Sequence, residues 1–251
     1  MLGLSGLLVA RLAATSPRGH NVLSAYSTNL RGRTRHQRHN AELAARALNH
    51  RVIAPGATFS FNRTVGSWTL DQGYVKALVS YDGELVRASG GGVCQTSTTL
   101  YNAALLAGLP IVERHPHVFV PGYIPPGRDA AVAYPGIDLR FGNPHSWPLR
   151  IEADVRGDRL EVRLVGINSF SNADADSVRI ASKVLSRLRP ARLTISTPRR
   201  TSRRVAVHSP GSPGYRVMTQ RVFFRHGREV RRERLSDDSY PSMNRVIALA
   251  P

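Results

Sequence analysis

Cysteine is nearly absent: Cys94 is the only one in 251 residues. A single thiol excludes an internal disulfide and any zinc site built on several cysteines. Lysine is almost as scarce, at Lys76 and Lys183, and acids are few, with 17 Asp and Glu against 35 Lys and Arg. Arginine therefore carries nearly all of the formal net charge of +18. Such a chain is drawn to polyanions, whether nucleic acid, anionic lipid or an anionic wall polymer. No RNA- or DNA-binding motif and no aromatic stacking pattern accompanies the charge, so nucleic acid is not an expected partner. Arginine spent on solvated faces is the plain alternative. Long hydrophobic runs are missing too. The opening MLGLSGLLVARLAA is apolar but short and broken by Arg11, too little to span a bilayer. It is similar to the end of a secretory apolar segment without its charged leader. Residues 1–21 are expected to be a flexible or residual targeting segment, with export the working expectation and membrane contact only through an anchor further upstream.

The length and a hydrophobic content of 41% suit one large domain, or one with a smaller appendage. Residues 15–40 are polar, rich in Arg and His, and show little sign of a core. The spacing of Ala41, Ala44, Ala45 and Leu48 predicts a helix over 40–48, stopped by Asn49 and the Pro55-Gly56 turn. Strands follow at 57–61, 74–80 and 84–88, the last two joined at Asp82-Gly83. Behind Gly90-Gly91-Gly92 a helix is expected from Cys94 to Ala107, ended by Gly108 and Pro110. Further strands are expected at 111–113, 118–120, 130–134, 137–141, 149–155 and 159–165. Residues 168–176 read as a polar junction, and 177–204 carry nine Arg or Lys and no acid. The tail reads as a small β-unit with a Pro-Gly-rich loop at 210–214 and strands near 215–224 and 229–235. The expected fold class is α+β: a helix bearing Cys94 packed on an antiparallel sheet over 22–170, a basic connection at 171–204, and a small C-terminal β-rich unit at 205–251.

The segment Gly90-Gly-Gly-Val-Cys-Gln-Thr-Ser-Thr-Thr-Leu-Tyr101 carries the strongest chemical signal. Glycines before a helix can turn several N–H groups toward one point and let another molecule approach the main chain. A thiol at the start of that helix meets the positive end of the helix dipole, which favours thiolate. The same N–H groups could hold an oxyanion when the thiolate attacks a carbonyl. Against this stands the inert reading of Cys94 as a small buried hydrophobe; the flanking glycines and the polar run Gln95–Thr99 argue for the reactive one. A phosphate cradle is weak because no Walker lysine follows. A thiolate needs a base, and His115 or His117 in Glu113-Arg-His-Pro-His117 could serve. Asp129 could orient the imidazole, and Arg128 could fork a substrate carboxylate. Gly91, Gly92, Gln95, Ser97, Arg114 and Tyr123 complete the candidates for holding substrate or oxyanion. The His-x-His pair could also ligate metal but lacks an obvious third ligand, so neither metal nor cofactor is expected. Phe59, Phe61 and Gly66 read as structural, and Tyr101 and Asn102 either line the site or pack.

These segments, in this order, resemble the VanW-like family of bacterial cell-envelope proteins. The likeness rests on Leu23-Ser-Ala-Tyr-Ser-Thr28, Pro55-Gly-Ala-Thr-Phe-Ser-Phe-Asn62, Gly73-Tyr74 with Ala77, Gly90 through Ala103, Glu113-Arg114 with His117, and Gly127-Arg-Asp-Ala130. It covers residues 22–165; the tail is similar to an adhesion-type β-rich extension. The family takes its name from a vancomycin-resistance gene cluster, and some relatives are understood as cysteine L,D-transpeptidases that cross-link peptidoglycan stem peptides. The resemblance thus implies an extracytoplasmic, cell-envelope protein with Cys94 as acylated nucleophile, His117 as base and peptidoglycan stem peptides as partners; the basic 177–204 stretch adds anionic wall polymer as a further expected partner. The alternative it leaves open is a non-catalytic cell-wall-binding or glycopeptide-resistance accessory module.

Overall fold

The computed structural model of the protein describes residues 21–81, 84–166, 175–196, 205–209 and 211–249. The expected targeting segment, the Asp82-Gly83 turn and most of the polar junction lie outside them, as does the 197–204 part of the basic stretch.

The chain runs β1 (Asn21–Asn29), α1 (Arg35–Leu48), β2 (Val52–Ile53), β3 (Thr58–Ser60), α2 (Phe61–Val65), β4 (Lys76–Tyr81), β5 (Glu84–Ser89), α3 (Val93–Leu106), β6 (Ile111–Glu113), β7 (Arg140–Gly142), β8 (Leu149–Arg156) and β9 (Arg159–Gly166). It continues with β10 (Ser177–Leu188), β11 (Arg192–Ser196), β12 (Val205–Ser209), β13 (Gly214–Arg225), β14 (Arg228–Tyr240) and β15 (Arg245–Leu249). Strand dominates and helix is the minority, within a mixed α+β fold. The antiparallel sheet β1-β9-β8-β2 supports α1 and α3, beside the small sheet β3-β7-β6 and the hairpin β4-β5. The later strands build two further sheets, β10-β13-β14 and β11-β15-β12. In the second, β11 lies parallel to β15.

One hydrophobic core sits between the first sheet and the helices, with Leu23, Leu48, Leu100, Leu105, Ile151 and Leu164 almost wholly out of solvent. Each such side chain contributes roughly 1.5–3 kcal/mol of burial. Helix α3 runs through this core: of its fourteen residues, Cys94 alone is not fully buried. It packs on β1 and β9, and the Ser24 hydroxyl on β1 donates to the Ala103 carbonyl at 2.7 Å.

Several expectations need correction. Residues 21–29, placed in a polar segment with little core, are instead a core strand. Its buried Ser24 and Thr28 look polar in the sequence but are satisfied by α3. Helix α1 begins five residues before Asn40, at a Thr34–Gln37 capping box. The stretch 130–134 is not a strand: Ala131 and Ala133 make only isolated bridges. Residues 118–120 form no strand either. The basic stretch is not simply a connection, since β10 pairs with β13 over Ser177–Leu188 and β11 pairs with β15.

Candidate active site

The three glycines form a tight passage between β5 and α3. Gly92, the N-cap of α3, has φ 113° and ψ −28°, a left-handed conformation that side chains resist. A Cβ there would overlap the Gln37 carbonyl oxygen of α1. One on Gly91 would lie 2.7 Å from the Leu78 carbonyl oxygen, and one on Gly90 would meet the Trp68 ring at 2.8 Å. The close neighbours of the glycines are thus the protein's own α1, β4 and Trp68. Asn40, fully buried on α1, locks the passage by donating to the carbonyls of Val75 at 2.8 Å and Gly91 at 2.9 Å, while its Oδ1 accepts from the Val75 N–H at 2.9 Å.

This passage delivers Cys94 to the first turn of α3, where backbone N–H groups lack helical acceptors. Its thiol donates to the Val132 carbonyl at 3.4 Å and interacts with His117 through both a hydrogen bond and charge. Nδ1 of His117 lies 2.8 Å from Oδ2 of Asp129, and the backbone N–H of His117 donates to the same oxygen at 2.6 Å. Nδ1 is thereby committed to Asp129, which leaves Nε2 for the thiol.

Asp129 has no exposed surface. Its Oδ1 accepts from the Tyr240 hydroxyl at 2.6 Å and from Nη2 of Arg114 at 3.1 Å. Burial pushes the Asp129 pKa up, but the His117 hydrogen bond and the Arg114 charge outweigh it, and the net direction is down. Burial likewise opposes charge on His117, yet the hydrogen bonds to Asp129 and Cys94 raise its pKa to about 9. At Cys94 burial works against the thiolate, but the His117 hydrogen bond and charge more than offset it, so the thiol pKa is lowered. The arrangement shifts the balance toward a thiolate–imidazolium pair.

The thiol opens onto a cleft of about 320 Å³. Its walls include Arg33, the three glycines, Gln95, His117, Pro121 and Tyr123, with Ser212 and Met243, which bridge to each other, contributed by the connections between the C-terminal strands. The Tyr123 hydroxyl is buried, with the Thr98 side chain beside it. Burial first, then the Cys94 charge, push its pKa up, so it stays a proton donor.

The other sequence candidates lie elsewhere. Ser97, on α3, is wholly buried and donates to the Ala130 carbonyl at 2.7 Å. Gln95 lines the cleft, but its amide is spent on Thr28 and the Asn29 carbonyl. Arg128 is no substrate fork: it is 6% exposed, donates to Oδ1 of Asn102 at 2.9 Å and lies over the Tyr26 ring. Arg114 is equally committed, clasping both Asp238 oxygens at 2.7 Å beside its contact with Asp129. His115 turns away to Glu113 at 3.1 Å. The polar run after Cys94 serves the interior: Thr98 and Asn102 hold the 128–130 segment that carries Asp129. Among the described residues no three His, Cys, Asp or Glu side chains are grouped to hold a metal ion. No described helix is long and apolar enough to cross a membrane.

Two participants escape a sequence reading. Arg33 joins the cleft through Gln95, 62 positions away, and Tyr240 reaches Asp129 across 111 positions. Only a turn signal, Arg31-Gly32-Arg33 before the capping box, hints at the first.

An α+β domain that sets a thiol, an imidazole and a buried carboxylate in line at the head of a cleft is the class of protein described. Residues 36–165, just over half of the chain, match the family model described as VanW like protein, and the chain belongs to that family. It is 42% identical over 142 residues to the uncharacterized protein YoaR of Bacillus subtilis (strain 168), covering 57% of this chain and 47% of YoaR. It is 39% identical over 110 residues to the vancomycin B-type resistance protein VanW of Enterococcus faecalis (strain ATCC 700802 / V583), covering 41% of this chain and 40% of VanW. The match thus spans less than half the length of either relative. Among solved structures, the IgA1 protease G5 domain aligns with 30% of this chain and 89% of its own at 19% identity and a TM-score of 0.21. HP0197-G5 aligns with 29% and 91% at 14% identity and a TM-score of 0.17. At such scores the likeness says nothing about fold.

Proposed function

We propose that this protein is a cell-envelope cysteine acyltransferase acting on peptidoglycan stem peptides, in the manner of an L,D-transpeptidase. The observation that carries this reading is the line from Asp129 through His117 to Cys94 at the cleft. The Cys94 thiolate attacks the carbonyl that precedes a terminal residue, and the C–N bond breaks as the His117 imidazolium gives its proton to the departing amine. A thioester on Cys94 results. The amine of a second stem peptide then loses a proton to the neutral His117 and attacks the thioester, which restores thiolate and imidazolium. Water in place of that amine would make the same site a carboxypeptidase. The Tyr123 hydroxyl, held protonated at the cleft, is suited to donate to the oxyanion, together with the N–H groups of the α3 start.

A second reading is favoured by the relatives: a non-catalytic cell-wall-binding or glycopeptide-resistance accessory module. One relative is named for vancomycin resistance and neither is named for a reaction. The exposed Lys183, Arg187, Arg189 and Arg192 would then meet anionic wall polymer, which predicts salt-sensitive wall binding that survives loss of Cys94. Both readings place the protein outside the cytoplasm.

Intact-mass measurement after incubation with a disaccharide-tetrapeptide separates them. The acyltransferase gains the mass of the acyl group and the Cys94→Ala variant gains none. A wild-type protein that stays unmodified while binding wall material equally well in both forms would establish the module instead.

A further inference from the structure

The cleft holds one cation that the protein leaves unneutralised. Arg33 lies between β1 and α1, where its Nε donates to Oε1 of Gln95 at 3.0 Å and its guanidinium stacks 4.8 Å from the centre of the Tyr123 ring. These two contacts fix the plane of the group. Among the described residues, neither terminal nitrogen, Nη1 or Nη2, has a hydrogen bond, and no carboxylate pairs with them. Apart from the Cys94 thiolate, which pairs with the His117 imidazolium, the rest of the lining supplies no counter-charge. Arg33 and His117 are its permanently or potentially cationic side chains, no Asp or Glu is among it, and Leu78, Val79, Phe119, Val120 and Met243 make much of its surface apolar. The other two arginines near the site are already committed, Arg114 to Asp238 and Asp129, and Arg128 to Asn102. A pre-oriented guanidinium with two free parallel donors in an apolar-walled cleft is a receptor for a planar anion, and the best match is a carboxylate. Its anchor, Gln95, is the residue next to Cys94, so the captured group lies close to the bond under attack.

We propose that Arg33 is the specificity-determining residue that binds the free α-carboxylate of the substrate's terminal residue, so that the site acts on the last peptide bond of a chain and not on internal ones. This rests on the acyl-transfer reading for the identity of the peptide, though not for the existence of the subsite. The carboxylate leaves with the amino acid released when the thioester forms, so it holds the donor only until acylation. The acceptor peptide, which arrives afterwards, does not need it.

Binding is measured by calorimetry on the full chain carrying Cys94→Ala, which keeps the peptide intact. The probes are the disaccharide-tetrapeptide with a free terminal carboxylate and its terminal carboxamide. The carboxamide is expected to bind about tenfold or more weakly, corresponding to one well-formed charged hydrogen-bond pair. Adding Arg33→Gln should weaken the free acid by a similar factor and leave the carboxamide nearly unchanged, and Arg33→Lys should recover part of the loss. Amidating instead a side-chain carboxylate of the third residue should change binding less than twofold; a loss there would move the assignment from the terminal carboxylate to that side chain. Equal binding of acid and carboxamide, equal weakening of both by Arg33→Gln, or no binding of either overturns the proposal. In the protein with Cys94 intact, thioester formation from acid and carboxamide alike would refute the subsite but keep the acyl transfer. Carboxylate-dependent binding without any thioester would do the reverse.

Discussion

At the scale of single residues, the site is a chain of charge in which each group sets the next. The lowered thiol pKa of Cys94 and the His117 value of about 9 bracket the pH range in which thiolate and imidazolium coexist. Alkylation of Cys94 by iodoacetamide should therefore rise at lower pH than that of a free cysteine of pKa ~8.5. It should change again near pH 9 as the imidazolium loses its proton. Asp129→Asn removes the carboxylate that holds that proton, so the His117 pKa falls and the thiol midpoint climbs toward the ordinary range. A wild-type profile indistinguishable from free cysteine would rule out the pair. Linkage gives the matching stability effect. His117 holds its proton more tightly when folded, so its contribution is complete below the ordinary pKa of ~6.5 and is lost as pH rises through about 9. Cys94 was legible in the sequence because it is the only thiol and sits behind a triple glycine, whereas the residues left His115 and His117 both open and only the family resemblance chose His117. Arg33 and Tyr240 were not legible, because an arginine among 35 basic residues and a tyrosine on a distant strand acquire meaning only through long-range contact.

At the scale of elements, α3 is the part on which the geometry depends, and its start is set by Gly92. Gly92→Ala meets two penalties. The left-handed backbone costs on the order of 1–3 kcal/mol, and the new methyl would strike the Gln37 carbonyl, forcing α1 and α3 apart. Gly157, at φ 57° in the β8–β9 turn with open space around it, meets the first penalty alone. Gly92→Ala is therefore expected to lower the melting temperature well beyond Gly157→Ala, and to slow Cys94 alkylation where Gly157→Ala leaves it alone. Equal effects of the two would show that the passage is not tight. The same element explains which strands could be read in advance. Strands β8, β9 and β13 alternate apolar and polar residues against a sheet neighbour, so their pattern is self-reporting. Residues 130–134 look like a strand by composition, but they continue a segment, 128–132, held from a helix. The backbone of that segment is bonded instead by the side chains of Cys94, Ser97, Thr98 and Asn102, and no periodicity encodes a strand whose partner is a helix. In β1 the failure is the converse, since Ser24 and Thr28 are polar residues with buried partners.

At the scale of the whole molecule, the C-terminal strands are tied to the first domain through the site itself. Asp238 and Tyr240 on β14 hold Arg114 and Asp129. On β13, Thr219 donates to the Gly127 carbonyl at 3.1 Å and Arg221 to the Leu109 carbonyl at 2.7 Å. A Cβ on Gly127 would overlap Thr219, so the two parts meet at backbone distance. Arg114 and Asp238 are each less than a tenth exposed, and removing one partner of a buried pair costs about 3–5 kcal/mol because the other charge is stranded. The two parts are thus expected to unfold together in one calorimetric transition. Asp238→Ala should weaken that coupling, either splitting the transition or lowering it by several degrees. Tyr240→Phe is the milder test. It leaves the strand and its packing but takes one donor from Asp129 and an acceptor from the Gly127 N–H, at about 1–3 kcal/mol for the buried groups left unpaired. Because Tyr240 acts on Cys94 only through Asp129 and His117, its loss should appear in the pH profile of alkylation as well as in stability. Two independent transitions in the wild-type protein, with an alkylation profile untouched by Tyr240→Phe, would mean that the C-terminal strands merely adjoin the site and do not complete it.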